Sequence, residues 1–289
     1  MHNARRKRSW RRKILRGVAV YAVLPYLSVT AIFTLTQRRL MYRPSVADSL
    51  CVTALNLDSE RTSDVQIKTP DGDVLNGWLL KSANADEATK RLLIYFPGNS
   101  MNRLERVSDL REVASFGYDV LIFDYRGFGD STGSPTETRL SADAKLIWRY
   151  ATGELGWREA EVVVFGESLG GAVAVSLWSD NGLSNDHAIS PHPKAVILSS
   201  TFASMPRTVQ WNYPWFPFQY LVFDRWSSID RISEVASPIT ILHGADDEMV
   251  PVAEARALAA ANQNAEFVEL PGAGHNDVPL RQLQSLLQQ

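Results

Sequence analysis

The sequence has little cysteine and an uneven distribution of charge, and both features exclude classes of protein. Cys51 is the only cysteine in 289 residues, so no intrachain disulfide can form. Residues 1–16 contain eight basic residues and no acidic one, whereas the rest of the chain holds 22 basic and 32 acidic residues. Because the body is acidic, we expect no nucleic-acid partner.

Charge is also missing from residues 17–36, a run of 20 mostly apolar residues interrupted by Pro25. As a helix with a rise of about 1.5 Å per residue, this run would cross a hydrocarbon core of about 30 Å. We predict an uncleaved single-pass membrane anchor, with residues 1–16 cytoplasmic and the catalytic domain extracytoplasmic. A cleaved secretory signal and a twin-arginine export signal at Arg11-Arg12 are the alternatives.

Short apolar segments alternate with helical patterns through the remainder of the chain, without internal repeats or low-complexity segments. This alternation predicts an α/β fold with a mostly parallel sheet covered by helices on both faces. An opening hairpin is predicted over residues 65–80. The predicted organisation is a basic segment (1–16), the anchor (17–36), a connector (37–60) and an α/β domain (61–289) with an insertion (201–236).

The sequence around Ser168 matches the pattern G-x-S-x-G, as Gly166-Glu167-Ser168-Leu169-Gly170. An apolar strand pattern, 162–165, precedes it, and a helix pattern follows. This context is typical of a serine nucleophile held on a tight strand-to-helix turn. The N–H of Leu169 would then face the reacting carbonyl as one oxyanion donor. We expect the second donor to be the backbone N–H of Asn99, in the loop after the strand at 91–96.

A serine hydroxyl needs a base to remove its proton, and in this fold the acid and then the histidine follow the serine. His275 is the candidate base, because it lies in a glycine-rich loop after the last predicted strand. His243 ends its own strand and precedes the candidate acids, so a structural role is expected for it. Asp246, Asp247 and Glu248 all remain possible as the acid at this point.

These elements together resemble the membrane-anchored branch of the α/β-hydrolase superfamily, some of whose members cleave acyl thioesters from proteins and others monoacylglycerols or lysophospholipids. The resemblance implies Asp247 as the acid. Two departures occur: Pro97 replaces a frequent His, and Ser100-Met101 replaces Ala-Gly, which we expect to narrow the acyl side of the site. The matching segments are 37–44, 96–99, 124–129, 166–171, 243–251 and 272–277.

The insertion at 201–236 is rich in aromatic residues, including Trp215 and Phe218. We predict that it forms a short lid, with these two residues binding an apolar acyl chain or dipping into the membrane interface. A lid that only packs on the core is the alternative.

The predicted activity is hydrolysis of carboxylic ester or thioester bonds of a small-molecule or lipid acyl substrate, through Ser168, His275 and Asp247, with no metal or cofactor. A prolyl-oligopeptidase-like peptidase, an acyltransferase and a membrane-tethered scaffold without activity are the alternatives. The oligomeric state is left open.

Overall fold

The structure is a computed structural model, and it describes residues 10, 12–82, 90–178, 191–278 and 280–287. The described part of the chain is built around an eight-stranded sheet with the strand order β1-β2-β4-β3-β5-β6-β7-β8. The pairs β1–β2 and β2–β4 are antiparallel, and every other neighbouring pair is parallel. The strands are Thr62–Lys68, Val74–Leu80, Arg91–Phe96, Tyr118–Phe123, Val162–Glu167, Ala195–Ser199, Ile239–Gly244 and Ala265–Leu270, numbered β1 to β8.

The helices cover both faces of the sheet, and their positions follow from the parallel connections. Strands β3 to β7 are short apolar runs that are buried on both faces of the sheet. Because neighbouring parallel strands are joined by connections that cross back over the sheet, the connecting helices cover its faces. One core cluster contains residues of the helices Val107–Ser115 and Leu280–Leu287. The other contains residues of the helices Glu137–Arg149, Leu169–Val175 and Val252–Ala260. The helices are Arg12–Met41, Val107–Ser115, Glu137–Arg149, Leu169–Val175, Met205–Asn212, Ser228–Arg231, Val252–Ala260 and Leu280–Leu287, numbered α1 to α8.

Helix α1 is long and apolar enough to cross a membrane, and the window of 18 residues that meets this test has no buried residue. A π-helical turn, Ala19–Val23, interrupts it just before Pro25. Because proline has no N–H to donate, a local irregularity is expected at this point. The helix continues beyond the uncharged run to Met41, and the next residue, Tyr42, is extended.

The carboxyl ends of the parallel strands meet at one edge of the sheet, and the loops that follow them carry the residues of interest. Chain order reverses at this edge between β3 and β5, since β4 lies on the other side of β3. A crevice at such a reversal is the usual ligand site of an open α/β sheet. Ser168 follows β5, Asp247 follows β7 and His275 follows β8, so the topology brings them to the same edge.

The mostly parallel sheet, the helices on both faces and the opening hairpin are confirmed. The second helix begins at Val107, and residues 103–106 ahead of it form turns in which the side chain and N–H of Arg103 bind Asp124. Most of the predicted basic segment 1–16 lies outside the described residues.

Candidate active site

The turn after β5 holds Ser168 in a backbone conformation that non-glycine residues rarely adopt. Its φ is +52°, and it is the residue that precedes α4. Glycines beside it are needed for close packing. A Cβ at Gly166 would lie 2.5 Å from the carbonyl oxygen of Gly170, and a Cβ at Gly170 would lie 1.9 Å from that of Phe96. Larger residues at either position would push α4 away from the sheet, so this local sequence is required for the turn.

Two hydrogen bonds stabilise the strained residue. The N–H of Ser168 donates to the carbonyl oxygen of Ser199 at 2.8 Å, and the hydroxyl of Thr201 donates to the carbonyl oxygen of Ser168 at 2.8 Å. Both partners belong to β6 or the residues directly after it. The neighbouring strand therefore holds the turn, and the Ser168 side chain is left to face the cavity beside it.

Ser168, His275 and Asp247 form a continuous chain of hydrogen bonds. The Oγ of Ser168 lies 3.0 Å from Nε2 of His275, and Nδ1 of His275 lies 2.7 Å from Oδ2 of Asp247. Since the carboxylate can only accept, Nδ1 carries the proton and Nε2 is free to accept from the serine hydroxyl. The arrangement can draw a proton from Ser168 as its oxygen attacks an electrophile.

The loops that carry the acid and the base are joined to each other. The N–H of Ala245 donates to Leu270 O at 3.0 Å, and the N–H of Asp246 donates to Ala273 O at 3.0 Å. Of the three candidate carboxylates, only Asp247 contacts His275 in the described chain, whereas the side chains of Asp246 and Glu248 are exposed. Asp246 contributes its backbone N–H to the contact between the two loops.

The carboxylate of Asp247 is buried and accepts hydrogen bonds on both oxygens. Burial by itself would raise the pKa of Asp247, but hydrogen bonds from His243, His275 and the N–H of Val250 outweigh it and hold this pKa well below its ordinary value. The N–H groups of Met249 and Val250 each donate to Oδ1 at 2.8 Å. The group is therefore a fixed negative charge beneath the imidazole of His275.

His243 makes a contact that the sequence did not indicate. Its Nε2 lies 2.9 Å from the carbonyl oxygen of Val250 and 3.1 Å from Oδ2 of Asp247, and its side chain is fully buried. Nε2 must carry the proton, because both partners are acceptors. His243 thus has the structural role expected at the strand end. It also contacts Asp247, the candidate acid, which is four residues further along the chain.

Hydrogen bonds to the end of α1 and to the loop after β4 hold the loop after β3 beside Ser168. The side-chain amide of Asn99 donates to Met41 O at 2.8 Å, and the N–H of Arg43 donates to Asn99 O at 2.9 Å. The hydroxyl of Tyr125 donates to Pro97 O at 2.8 Å. In the described chain, the backbone N–H of Asn99 donates to no protein acceptor, and neither does that of Leu169, the other donor predicted from the sequence. Both residues line the cavity that contains Ser168.

This cavity has a volume of about 640 Å³ and mostly apolar walls. Ser168 and His275 are among the residues that line it, so a carbonyl group bound in the cavity can approach the serine oxygen. Polar and charged groups also line it, among them Arg39, Arg43 and Glu248. The apolar lining comes from α1 (Phe33, Leu40, Met41), from the insertion (Phe202, Met205, Val209, Tyr213, Val222) and from the loop after β7 (Met249, Val250).

The acyl-binding role predicted for Trp215 and Phe218 is corrected by the structure, because neither residue lines the cavity. The other role predicted for them, contact with the membrane interface, stays a prediction. Trp215 is 85% exposed on the outside of the insertion. Phe218 is buried, but its ring stacks on Phe33 and Phe216 at centroid distances of 3.7 and 4.8 Å. The wall that was expected from these aromatics is instead supplied by Met205, Val209 and their neighbours.

The expected narrowing by Ser100-Met101 is also corrected, since neither residue lines the cavity. Met101 is 41% exposed and has a φ of +71°, which explains why glycine would be favourable there. The extra bulk points away from the site.

The described residues contain no group of three or more His, Cys, Asp and Glu side chains that could hold a metal ion. His192 is exposed near Glu159, and His2 and His187 lie outside the described residues. Among the described histidines, His275 and His243 are the two that contact Asp247.

Comparison with known proteins places the chain among the α/β hydrolases. The α/β hydrolase family pattern matches residues 93–284. An uncharacterized protein of Mycobacterium tuberculosis is 34% identical over 269 residues, covering 93% of this chain and 90% of the relative. The α/β hydrolase domain-containing protein 17B of Homo sapiens is 32% identical over 200 residues, covering 66% of this chain and 62% of the relative.

Among solved structures, the esterase Pf2001 of Pyrococcus furiosus superposes with a TM-score of 0.60 at 20% identity, covering 86% of this chain and 96% of the esterase. At this level of identity the likeness concerns the fold.

Proposed function

The chain belongs to the α/β hydrolase family, and from that premise we propose that it is a serine hydrolase that cleaves carboxylic ester or thioester bonds of a lipophilic acyl substrate. The observation that carries this proposal is the hydrogen-bonded series Ser168–His275–Asp247, of which Ser168 and His275 line a mostly apolar cavity. A solved structure of similar fold is that of an esterase, which agrees with this reaction class.

In the acylation step, Oγ of Ser168 attacks the carbonyl carbon while Nε2 of His275 takes the hydroxyl proton. The ester C–O or thioester C–S bond then breaks, and the imidazolium passes that proton to the departing alcohol or thiol. Asp247 holds the imidazole with Nδ1–H toward itself and stabilises its positive charge. The product of this step is an acyl ester on Ser168.

The negative charge that develops on the carbonyl oxygen requires donors, and we assign these to the backbone N–H groups of Asn99 and Leu169. Both groups lack a protein acceptor in the described chain, and both residues line the cavity. Donors that are already fixed in place stabilise such charge without reorganisation during the reaction. In deacylation, water replaces the alcohol or thiol, and His275 activates it in the same way.

We propose further that α1 anchors the enzyme as a single-pass span, with its N-terminus cytoplasmic and the catalytic domain on the extracytoplasmic side. Support comes from the length and apolar character of α1 and from the basic residues ahead of it. A tethered enzyme meets lipophilic esters at high local concentration, which suits an apolar cavity.

Labelling with a fluorophosphonate tests the nucleophile. The full-length protein should be labelled, Ser168→Ala should not, and Ser134→Ala, which changes an exposed serine, should be labelled as the wild type is. Labelling of Ser168→Ala at the wild-type rate would refute the assignment. Turnover of matched ester, thioester and amide substrates then distinguishes an esterase or thioesterase from a peptidase, and product analysis with added alcohol detects acyl transfer.

A further inference from the structure

A second uncharged segment lies in the insertion and packs against the uncharged part of α1. Residues 208–223 contain no charged side chain and seven aromatic ones. Arg207 precedes the segment and Asp224 follows it, just as Arg16 precedes and Arg38 follows the uncharged part of α1. We call residues 208–223 the uncharged lid segment. An uncharged, aromatic-rich surface of this size is unusual on a water-exposed part of a protein.

The uncharged lid segment packs along the side of α1. Phe33 stacks on Phe218 with a centroid distance of 3.7 Å, and Tyr26 stacks on Phe216 at 5.1 Å. The hydroxyl of Tyr26 also donates to the carbonyl oxygen of Trp215 at 3.2 Å. These contacts are spread over two turns of the helix, so the lid lies beside α1 rather than only touching its end.

Both uncharged stretches end at the same place in the molecule. The guanidinium of Arg38 binds the carboxylate of Asp224 through two hydrogen bonds of 2.9 and 3.1 Å. At the preceding residue, the buried side chain of Gln37 donates to Leu221 O at 3.0 Å and accepts from the N–H of Phe223 at 2.8 Å. The Arg38–Asp224 pair therefore marks a common boundary, with charged residues on one side and two uncharged elements on the other.

The depth of the lid follows from helix geometry. Tyr26 precedes Arg38 by 12 residues, and at about 1.5 Å per residue this separation is about 18 Å. Half of a bilayer core is about 15 Å. If residues 17–36 cross the core, the contacts at Tyr26 and Phe33 put the lid alongside the half of the span nearest the catalytic domain.

The lid also carries four aromatic side chains that are exposed. Trp211, Trp215, Tyr220 and Phe223 are 63%, 85%, 77% and 58% exposed, respectively. Tryptophan and tyrosine are favoured at membrane interfaces, where the ring contacts hydrocarbon and the polar atom contacts headgroups or water. This surface is continuous with the exposed apolar surface of α1, so one occupant can cover both.

We propose that the uncharged lid segment is embedded in the membrane leaflet next to the catalytic domain, and that lipid hydrocarbon covers its exposed aromatic face. The proposal rests on the membrane insertion of α1 and does not depend on the reaction at Ser168. It has a consequence for access: Phe33 and Leu40 of α1 and Met205 and Val209 of the insertion line the same cavity. An acyl chain can then enter between helix and lid directly from the leaflet.

Spin labels at single cysteines test this in the full-length protein, reconstituted in phosphatidylcholine vesicles, with Cys51 replaced by serine. The test position is Tyr220→Cys. The membrane reference is Ile32→Cys on α1, which is 61% exposed. The aqueous control is Gln263→Cys, an exposed position just before β8 and thus at the opposite edge of the sheet. Collision rates with oxygen, which concentrates in hydrocarbon, and with a polar nickel chelate report the depth.

The label at Tyr220→Cys should match that at Ile32→Cys, with high oxygen and low nickel accessibility. A nickel accessibility equal to that of Gln263→Cys, with Ile32→Cys protected, would overturn the proposal while leaving the anchor intact. Nickel access to Ile32→Cys as well would overturn both the embedded lid and the membrane span.

A charge in the lid gives a functional readout. Lysine in the apolar part of a leaflet is costly, so Tyr220→Lys should lower hydrolysis of an ester held in vesicles by about tenfold. Hydrolysis of a water-soluble short-chain ester should stay within about twofold of the wild type, and Tyr220→Leu should retain both activities. Equal rates of Tyr220→Lys and Tyr220→Leu on the vesicle substrate would contradict an embedded lid.

Discussion

At the scale of single residues, the proposed chemistry depends on one carboxylate among three that are adjacent in sequence. Asp247 accepts from His275, while the side chains of Asp246 and Glu248 are exposed. The sequence by itself could not choose among them, because all three follow β7 and any could reach toward a loop. The choice came from a resemblance of spacing, and the buried contacts of Asp247 supply its physical reason.

Asp247→Asn should lower kcat by about 10³–10⁴ if Asp247 orients His275, because an amide can present its NH₂ to Nδ1 and favour the wrong tautomer. The matched control is Asp246→Asn, which alters an exposed neighbour and should retain kcat to within about threefold. Steady-state kinetics with a p-nitrophenyl ester measure both. A larger loss in Asp246→Asn than in Asp247→Asn would contradict the assignment.

The lowered pKa of Asp247 also predicts how stability depends on pH. An aspartate with a depressed pKa stabilises the folded state above its unfolded pKa of about 3.9, and that stabilisation disappears as pH falls through the folded pKa. The gap in unfolding midpoint between the wild type and Asp247→Asn should therefore be constant above about pH 5 and shrink below about pH 4. Thermal unfolding of both proteins from pH 3 to pH 7 checks this; a gap that widens toward acid would contradict it.

At the scale of elements, the cavity is assembled from pieces far apart in sequence. The helix α1, the insertion and the loop after β7 each supply part of the wall. Aromatic content could identify 201–236 as a lid, but it could not separate residues facing the cavity from those facing outward. The error at Trp215 and Phe218 arose for this reason, and the cavity-lining role of Phe33 and Leu40 was missed because it depends on docking of α1.

The cavity predicts a preference for longer acyl chains. Each buried CH₂ adds about 0.8 kcal/mol, or roughly fourfold in binding, until the cavity is full. We expect kcat/KM to rise from acetyl to at least hexanoyl esters. Met205→Ala and Val209→Ala should flatten the rise, whereas Trp215→Ala, outside the cavity, should preserve it for water-soluble esters in detergent.

A p-nitrophenyl ester series measures this profile. A flat or falling profile in the wild type would contradict a lipophilic acyl site. If Trp215→Ala alone flattened the dependence of kcat/KM on chain length, the outer aromatic residues of the insertion would be the ones that bind the acyl chain.

At the scale of the whole molecule, much of the architecture could be predicted from residue patterns. Buried strands are short apolar runs, glycines flank Ser168 because the backbone must approach closely, and His275 comes last because of the chain order of the fold. Contacts between distant segments could not be predicted. The contact of His243 with Asp247 and the Arg38–Asp224 pair arise only when the loops and α1 are in place.

The proposed topology predicts the location of the carboxyl end. Eight basic residues before the uncharged run should keep the N-terminus in the cytoplasm, so alkaline phosphatase fused after Gln289 should be active, and a cytoplasm-dependent fluorescent fusion should be dark. Replacing the basic residues of 1–16 by glutamine is the matched control and should weaken this orientation. An inactive phosphatase with a bright fluorescent fusion would reverse the topology, and a mature chain starting after residue 30 would replace the anchor by a cleaved signal.

We propose that Ser168 carries the acyl group during turnover. Trapping that acyl group on the enzyme tests the proposal most directly. The full-length enzyme is mixed rapidly with p-nitrophenyl hexanoate, quenched in acid and analysed by intact mass and peptide mapping. We expect a burst of p-nitrophenolate approaching one equivalent and one hexanoyl group on the peptide containing Ser168, both absent in Ser168→Ala. Hexanoyl on a different residue, or full turnover by Ser168→Ala, would contradict it.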